Sequence, residues 1–158
     1  PELFTLGSTD ITWSAEDEFG NKSQAIQSVN IVDTTSPEFS ILCSPDMLWP
    51  PNHKMVEVIP TITANDACDA SLTVKLDRIT MNEGNKTDTY DPVYDEGLAD
   101  GNTTNDILVG AGGRIYLRAE RGGKNPGGRV YTISYKATDA SGNMSAASCE
   151  VLVPHDMR

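Results

Sequence analysis

Arg129-Val-Tyr-Thr-Ile-Ser-Tyr-Lys-Ala-Thr-Asp-Ala-Ser-Gly-Asn-Met-Ser-Ala-Ala-Ser-Cys-Glu-Val-Leu-Val153 is the stretch that decides the fold. Residues 129–138 are rich in β-branched and aromatic side chains at alternating positions, and residues 147–153 alternate again. The segment 139–143 between them is Asp-Ala-Ser-Gly-Asn, a set of turn formers. Two period-2 runs joined by such a turn predict a β-hairpin. The same pattern occurs upstream. Trp13-Ser-Ala-Glu-Asp-Glu-Phe-Gly-Asn21 matches Tyr135-Lys-Ala-Thr-Asp-Ala-Ser-Gly-Asn143 as aromatic-x-Ala-x-Asp-x-x-Gly-Asn, and each is followed by Ser two residues on and then by an alternating strand. One hairpin is therefore expected twice.

Outward from these copies, further short β-branched or alternating runs lie at 10–15, 25–32, 39–43, 55–64, 72–80, 106–110 and 114–120, each bounded by Gly, Pro, Asn or Asp. No stretch of eleven or more residues carries apolar positions at helical spacing. Strands punctuated this regularly predict an all-β sandwich or barrel. Residues 38–153 hold seven of them, a complete sandwich, whereas residues 1–33 hold only a terminal hairpin. The polar Val32-Asp-Thr-Thr-Ser-Pro37 suits an extended junction at 34–37. The expected division is 1–33, the last strands of a preceding module; 34–37, a junction; and 38–158, a complete module with an Asp-, Asn- and Gly-rich insertion loop at 82–105.

The balance of 23 acidic against 12 basic residues gives the 158-residue chain a net charge of −11. That excludes nucleic acid as a partner, because phosphate binding is driven by clustered Lys and Arg. Membrane insertion by a helix is excluded as well, since no apolar run approaches the roughly 20 residues required. No signal peptide opens the chain and residue 1 is Pro, so a processed or excised piece is expected. No nucleophile elbow or zinc spacing is present, and a non-catalytic protein is expected.

Several motifs then occur in order. The run 6–37 has a Thr-rich strand, the Ala-x-Asp-x-x-Gly-Asn turn and the Val-Asp-Thr-Thr-x-Pro junction. After it come Cys43-Ser-Pro45, Trp49-Pro-Pro-Asn-His-Lys54, Asp66-Ala-Cys-Asp69, Leu117-Arg-Ala-Glu-Arg121, Gly128-Arg-Val-Tyr131 and Val153-Pro-His-Asp156. Together these resemble the end of a bacterial hyalin-repeat (HYR-like) module followed by a related immunoglobulin-like module. The resemblance covers nearly the whole chain. It implies an immunoglobulin-like antiparallel β-sandwich preceded by a partial one, in tandem-repeat proteins that are secreted or held at the cell surface, with no enzymatic activity. The cysteines of hyalin repeats are missing beside Trp13 and after Asn21. In such folds the first and last strands often run side by side. Cys43 and Cys149 are then placed to meet at the roughly 5.5–6 Å Cα spacing of a disulfide. Cys68 stays outside that bridge, or pairs with Cys43 if the first strand is short.

If the seven strands alternate in direction, the loops at 66–69 and 139–143 share one end of the sandwich with the junction at Asp33. Asp33, Asp66, Asp69 and Asp139 would converge there as oxygen ligands for Ca2+ that stiffens the linker. The alternative is that Asp139 caps the amides of its Gly-Asn turn and the others are solvated. A second calcium site is expected in the insertion, from Asp100, Asn102 and Asp106. His53, Glu120 and Arg121 are expected at the opposite end, pinning the turn around Trp49, which reads as a packed plug. Two functions follow: a structural or adhesive extracellular module, or an accessory carbohydrate-binding module using Trp49, Tyr90, Tyr94 or Tyr116. Partners are neighbouring immunoglobulin-like modules or identical subunits exchanging strands with the orphan hairpin, and surface glycans or proteins.

Overall fold

The two matching turns fold alike. In the first, Asp17 N–H donates to Asn21 O (3.0 Å) and Gly20 N–H to Asp17 O (3.0 Å); in the second, Asp139 N–H donates to Asn143 O (3.1 Å) and Gly142 N–H to Asp139 O (3.3 Å). Each is a tight turn ending on a left-handed glycine, Gly20 at φ +84° and Gly142 at φ +91°, a conformation that costs a residue without Cβ nothing. These turns come from a computed structural model, which describes residues 4–82, 89–90, 99–100, 103–104 and 106–156. The chain divides into two compact units, Pro1–Thr35 and Ser36–Arg158.

The first unit is the hairpin of β1 (Gly7–Glu16) and β2 (Lys22–Ile31), in register from Gly7↔Ile31 to Glu16↔Lys22. Alternation puts Ile11, Trp13, Ala15, Ala25, Val29 and Ile31 on one face. Trp13 is 59% exposed, and Ile26, on the other face, is 69% exposed. Two strands alone have no second layer on which to bury such a face, and are marginal in water.

The second unit contains β3 (Glu38–Ser44), β4 (Met55–Asn65), β5 (Thr73–Met81), β6 (Thr89–Tyr90), β7 (Ala99–Asp100), β8 (Thr103–Thr104), β9 (Ile107–Val109), β10 (Ile115–Arg118), β11 (Arg129–Thr138) and β12 (Met144–Val153). Two antiparallel four-stranded sheets, β3-β4-β10-β9 and β12-β11-β5-β6, form the sandwich; β7 and β8 pair separately. Among the described residues the helical content is a single 3₁₀ turn, Ala111–Gly113. The chain is thus all-β, as its periodicity predicts.

β11 is the spine of the core. Its inward residues Arg129, Tyr131, Ile133, Tyr135 and Ala137 are buried, and its outward neighbours are not. They meet Ile41, Val58, Ile115 and Leu117 of the other sheet, each worth about 1.5–3 kcal/mol on burial. Register shifts between Ser134 and Tyr135, where Asp77 of β5 is the extra residue of a bulge. Its carboxylate turns to Lys136 Nζ (2.7 Å) and Arg78 Nε (3.0 Å). Gly128 opens β11 at φ +75°, and a Cβ there would lie 2.3 Å from Val153 O, so only glycine fits.

A disulfide joins Cys43 of β3 to Cys149 of β12, with Cα atoms 5.7 Å apart and a sequence separation of 106. Cys68, which is exposed, takes no part in it. Close by, the segment at 46–48 is laced to β12: Leu48 N–H donates to Leu152 O (2.8 Å) and Leu152 N–H to Asp46 O (2.8 Å). Leu48, 2% exposed, plugs the core here, whereas Trp49 is 46% exposed. The plug expected at Trp49 is therefore its neighbour, because the strap turns the chain by one residue between them.

Candidate functional site

The loop at 66–69 and the turn at 139–143 do share one end of the sandwich, joined by a hydrogen bond from Ala140 N–H to Asp69 Oδ2. Asp66, Asp69 and Asp139 each serve backbone amides. Asp66 Oδ1 accepts from Cys68 N–H (2.8 Å) and Asp69 N–H (3.0 Å), and Asp69 Oδ1 accepts from Ser71 N–H (2.8 Å). Asp139 Oδ1 accepts from Asn143 N–H (2.8 Å) and Oδ2 from the Asn143 side-chain amide (2.8 Å). Asp66 Oδ2 is buried without a hydrogen-bond partner among the described residues. Asp33 belongs to the other unit, where it is buried and its Oδ1 accepts from Thr35 N–H (2.9 Å). Asp139 thus caps its turn, the arrangement set beside calcium at the level of sequence.

Asp17 repeats the scheme in the hairpin: its Oδ1 accepts from Asn21 N–H (2.9 Å) and Phe19 N–H (2.9 Å), and its Oδ2 from the Asn21 side chain (2.8 Å). The Asn21 side-chain amide, with the turn amides, holds the Asp17 carboxyl below its ordinary value. At Asp139 burial pushes the pKa up, but the Asn143 side chain and the amides of Asn143, Gly142 and Ser141 outweigh it and hold the group low. A carboxylate with a depressed folded-state pKa stabilises the fold above its ordinary pKa, and that contribution is lost as pH falls through the folded value. Stability of the second unit should therefore fall below about pH 4, with a shallower dependence in Asp139→Asn. Chemical denaturation at several pH values checks this; equal slopes for the two proteins would refute it. Asp77, held low chiefly by Lys136, adds acid sensitivity of the same sign.

The insertion differs from expectation. Asn102 and the side chain of Asp100 lie outside the described residues. Asp106 is not an exposed calcium ligand: it is 0% exposed, with Oδ1 at 2.8 Å from Arg118 Nε and Oδ2 at 3.1 Å from Arg129 Nη1. Two guanidinium groups already neutralise it, so it acts as a buried counter-ion. Arg129 Nη1 also donates to Tyr131 Oη (2.9 Å), Tyr131 Oη donates to Arg118 O (2.9 Å), and the Arg129 guanidinium lies 5.7 Å from the Tyr131 ring centre. Sequence reading singled out neither Arg118 nor Arg129 for this role. The available signal was Arg129 on the inward parity of β11, a buried cation that demands an acid.

This network anchors the opposite end. Arg118 Nη1 donates to His53 O (2.9 Å), His53 N–H donates to Ala119 O (2.9 Å), and Ala119 N–H donates to Lys54 O (2.8 Å). His53 takes a left-handed backbone, φ 62°, and its Nδ1 is 3.4 Å from Glu120 Oε2. His53 and Glu120 therefore meet as the sequence suggests, and the turn carrying Trp49 is held on both flanks. No protein-family model matches the chain, and no curated protein proves similar to it. The likeness to hyalin-repeat modules rests on sequence motifs alone.

Proposed function

We propose that the chain is a non-catalytic structural or adhesive part of an extracellular protein: an immunoglobulin-like module joined to the terminal hairpin of a second, similar one. Taking β3, β4, β5, β9, β10, β11 and β12 as strands A to G, the sheet orders A-B-E-D and G-F-C, the second extended by β6, support an immunoglobulin-like reading. A disulfide persists in an oxidising compartment, which supports a secreted or cell-surface location. The open edges of β1 and β2 are where a neighbouring module or an identical subunit would add strands.

The observation that carries the structural reading is where the bridge lies. It ties the first strand of the module to the last, so tension entering at β3 and leaving at β12 crosses Cys43–Cys149 and bypasses the residues between. A module built this way is an inextensible spacer in its oxidised form. Pulling single molecules by their ends tests it, since only reduction should let the sandwich lengthen.

Calcium stiffening belongs to the same reading, with Asp66 as the leading ligand because its Oδ2 is buried and unpaired among the described residues. Asp69 and Asp139 of the same end would contribute oxygens that now accept amide hydrogens. Thermal unfolding in calcium and in EGTA should differ, and Asp66→Ala should erase the difference. Superimposable curves for the unaltered chain would remove calcium from the account.

A further inference from the structure

The turn that carries Trp49 frames a cavity of about 490 Å3 lined by Met47, Trp49, Asn52, Lys54, Met55 and Glu57, among others. We propose that this cavity binds a neutral pyranose ring of a glycan, stacked on the Trp49 indole. Its volume falls within the roughly 300–1,000 Å3 of small-molecule sites, and its lining combines an apolar floor with a few polar groups, as such sites do. The indole is 46% exposed on a turn that is pinned on both sides, by Leu48 to Leu152 and by His53 and Lys54 to Ala119. A ligand stacking there meets a surface that is already ordered, and ordering costs it little.

The polar groups match sugar hydroxyls, which both donate and accept. The Asn52 side-chain NH2 donates, its Oδ1 already accepts from Lys54 N–H (3.1 Å), the Lys54 ammonium donates and the Glu57 carboxylate accepts. Glu57 also lies 3.5 Å from Arg114, Nε to Oε1, in a pair exposed to solvent. The net charge of −11 repels a polyanion, so the ring is an uncharged one. A proline-rich peptide docks in grooves lined by several aromatic rings, whereas Trp49 is the single aromatic residue lining this cavity.

The test uses the full chain carrying Trp13→Phe, which leaves Trp49 as the sole indole. Cellohexaose, xylohexaose, mannohexaose, chitohexaose and a decaproline peptide are titrated while indole emission is followed, with isothermal calorimetry alongside. At least one hexasaccharide should bind saturably. Its affinity should fall about tenfold or more in Trp49→Ala, as for an aromatic hot spot, and measurably in Asn52→Asp, which keeps the Oδ1 that accepts from Lys54 N–H, with the fold retained in both by circular dichroism. No saccharide binding, binding indifferent to Trp49→Ala, or Trp49-dependent binding of decaproline alone would overturn the proposal. None of these outcomes bears on the load-bearing role.

Discussion

Asp106→Ala is expected to cost the second unit about 3–5 kcal/mol, the loss found when one partner of a buried ion pair is removed. Arg129, 1% exposed, would lose the Asp106 carboxylate from its Nη1, while the Tyr131 hydroxyl and ring that stay beside it carry no charge. Arg118 is partly exposed and can turn to water, so the penalty falls on Arg129. Domains of this size are stable by only about 5–15 kcal/mol, so the variant should unfold some 10–20 °C lower. A paired replacement separates charge from shape. Asp106→Leu with Arg129→Met removes both buried charges and should recover much of the loss, because apolar substitutes for a buried pair are often neutral or better. Thermal and urea unfolding of the single and double variants decide the matter. Equal stability of Asp106→Ala and the unaltered chain would contradict the counter-ion assignment.

What could be read from the sequence is what depends on neighbours in the chain. The hairpin of β11 and β12 rests on period-2 alternation and on Asp139, Gly142 and Asn143, whose bonds close within five residues; its copy at Asp17 to Asn21 follows by the same rule. The meeting of the 66–69 loop with the 139–143 turn follows from alternating strand direction. Three features were beyond reach for one reason, that each depends on distant packing. Asp106 reads as one acid in an acidic loop until β9 pairs with β10 and carries it beneath Arg118 and Arg129. Leu48 rather than Trp49 enters the core because the segment at 46–48 bonds to Leu152, and no periodicity marks an irregular strap. Asp69 Oδ2 reads as open to a cation until the 139–143 turn brings the Ala140 amide to it across 71 residues of sequence.

Removing the bridge should have an effect of similar size. Cys43→Ala with Cys149→Ala releases a 106-residue separation in the unfolded chain, for which chain entropy gives about 4–5 kcal/mol and experience with native disulfides about 2–5. Cys149 also packs in the core beside Ile133 and Val151, so the Ala pair loses some packing too. Unfolding in urea with and without reductant separates these contributions. Reduction of the unaltered chain should reproduce most of the loss, and a reduced chain as stable as the oxidised one would show that the bridge holds nothing.

The most direct measurement is the force extension of single molecules held at the two ends of the chain, before and after reduction. Oxidised, unfolding of the second unit should release only residues outside the bridge. Reduced, it should add about 35–38 nm, the sequence separation of 106 from Cys43 to Cys149 at roughly 3.3–3.6 Å per residue. Equal lengthening in both states would contradict the account of this chain as a disulfide-clamped spacer.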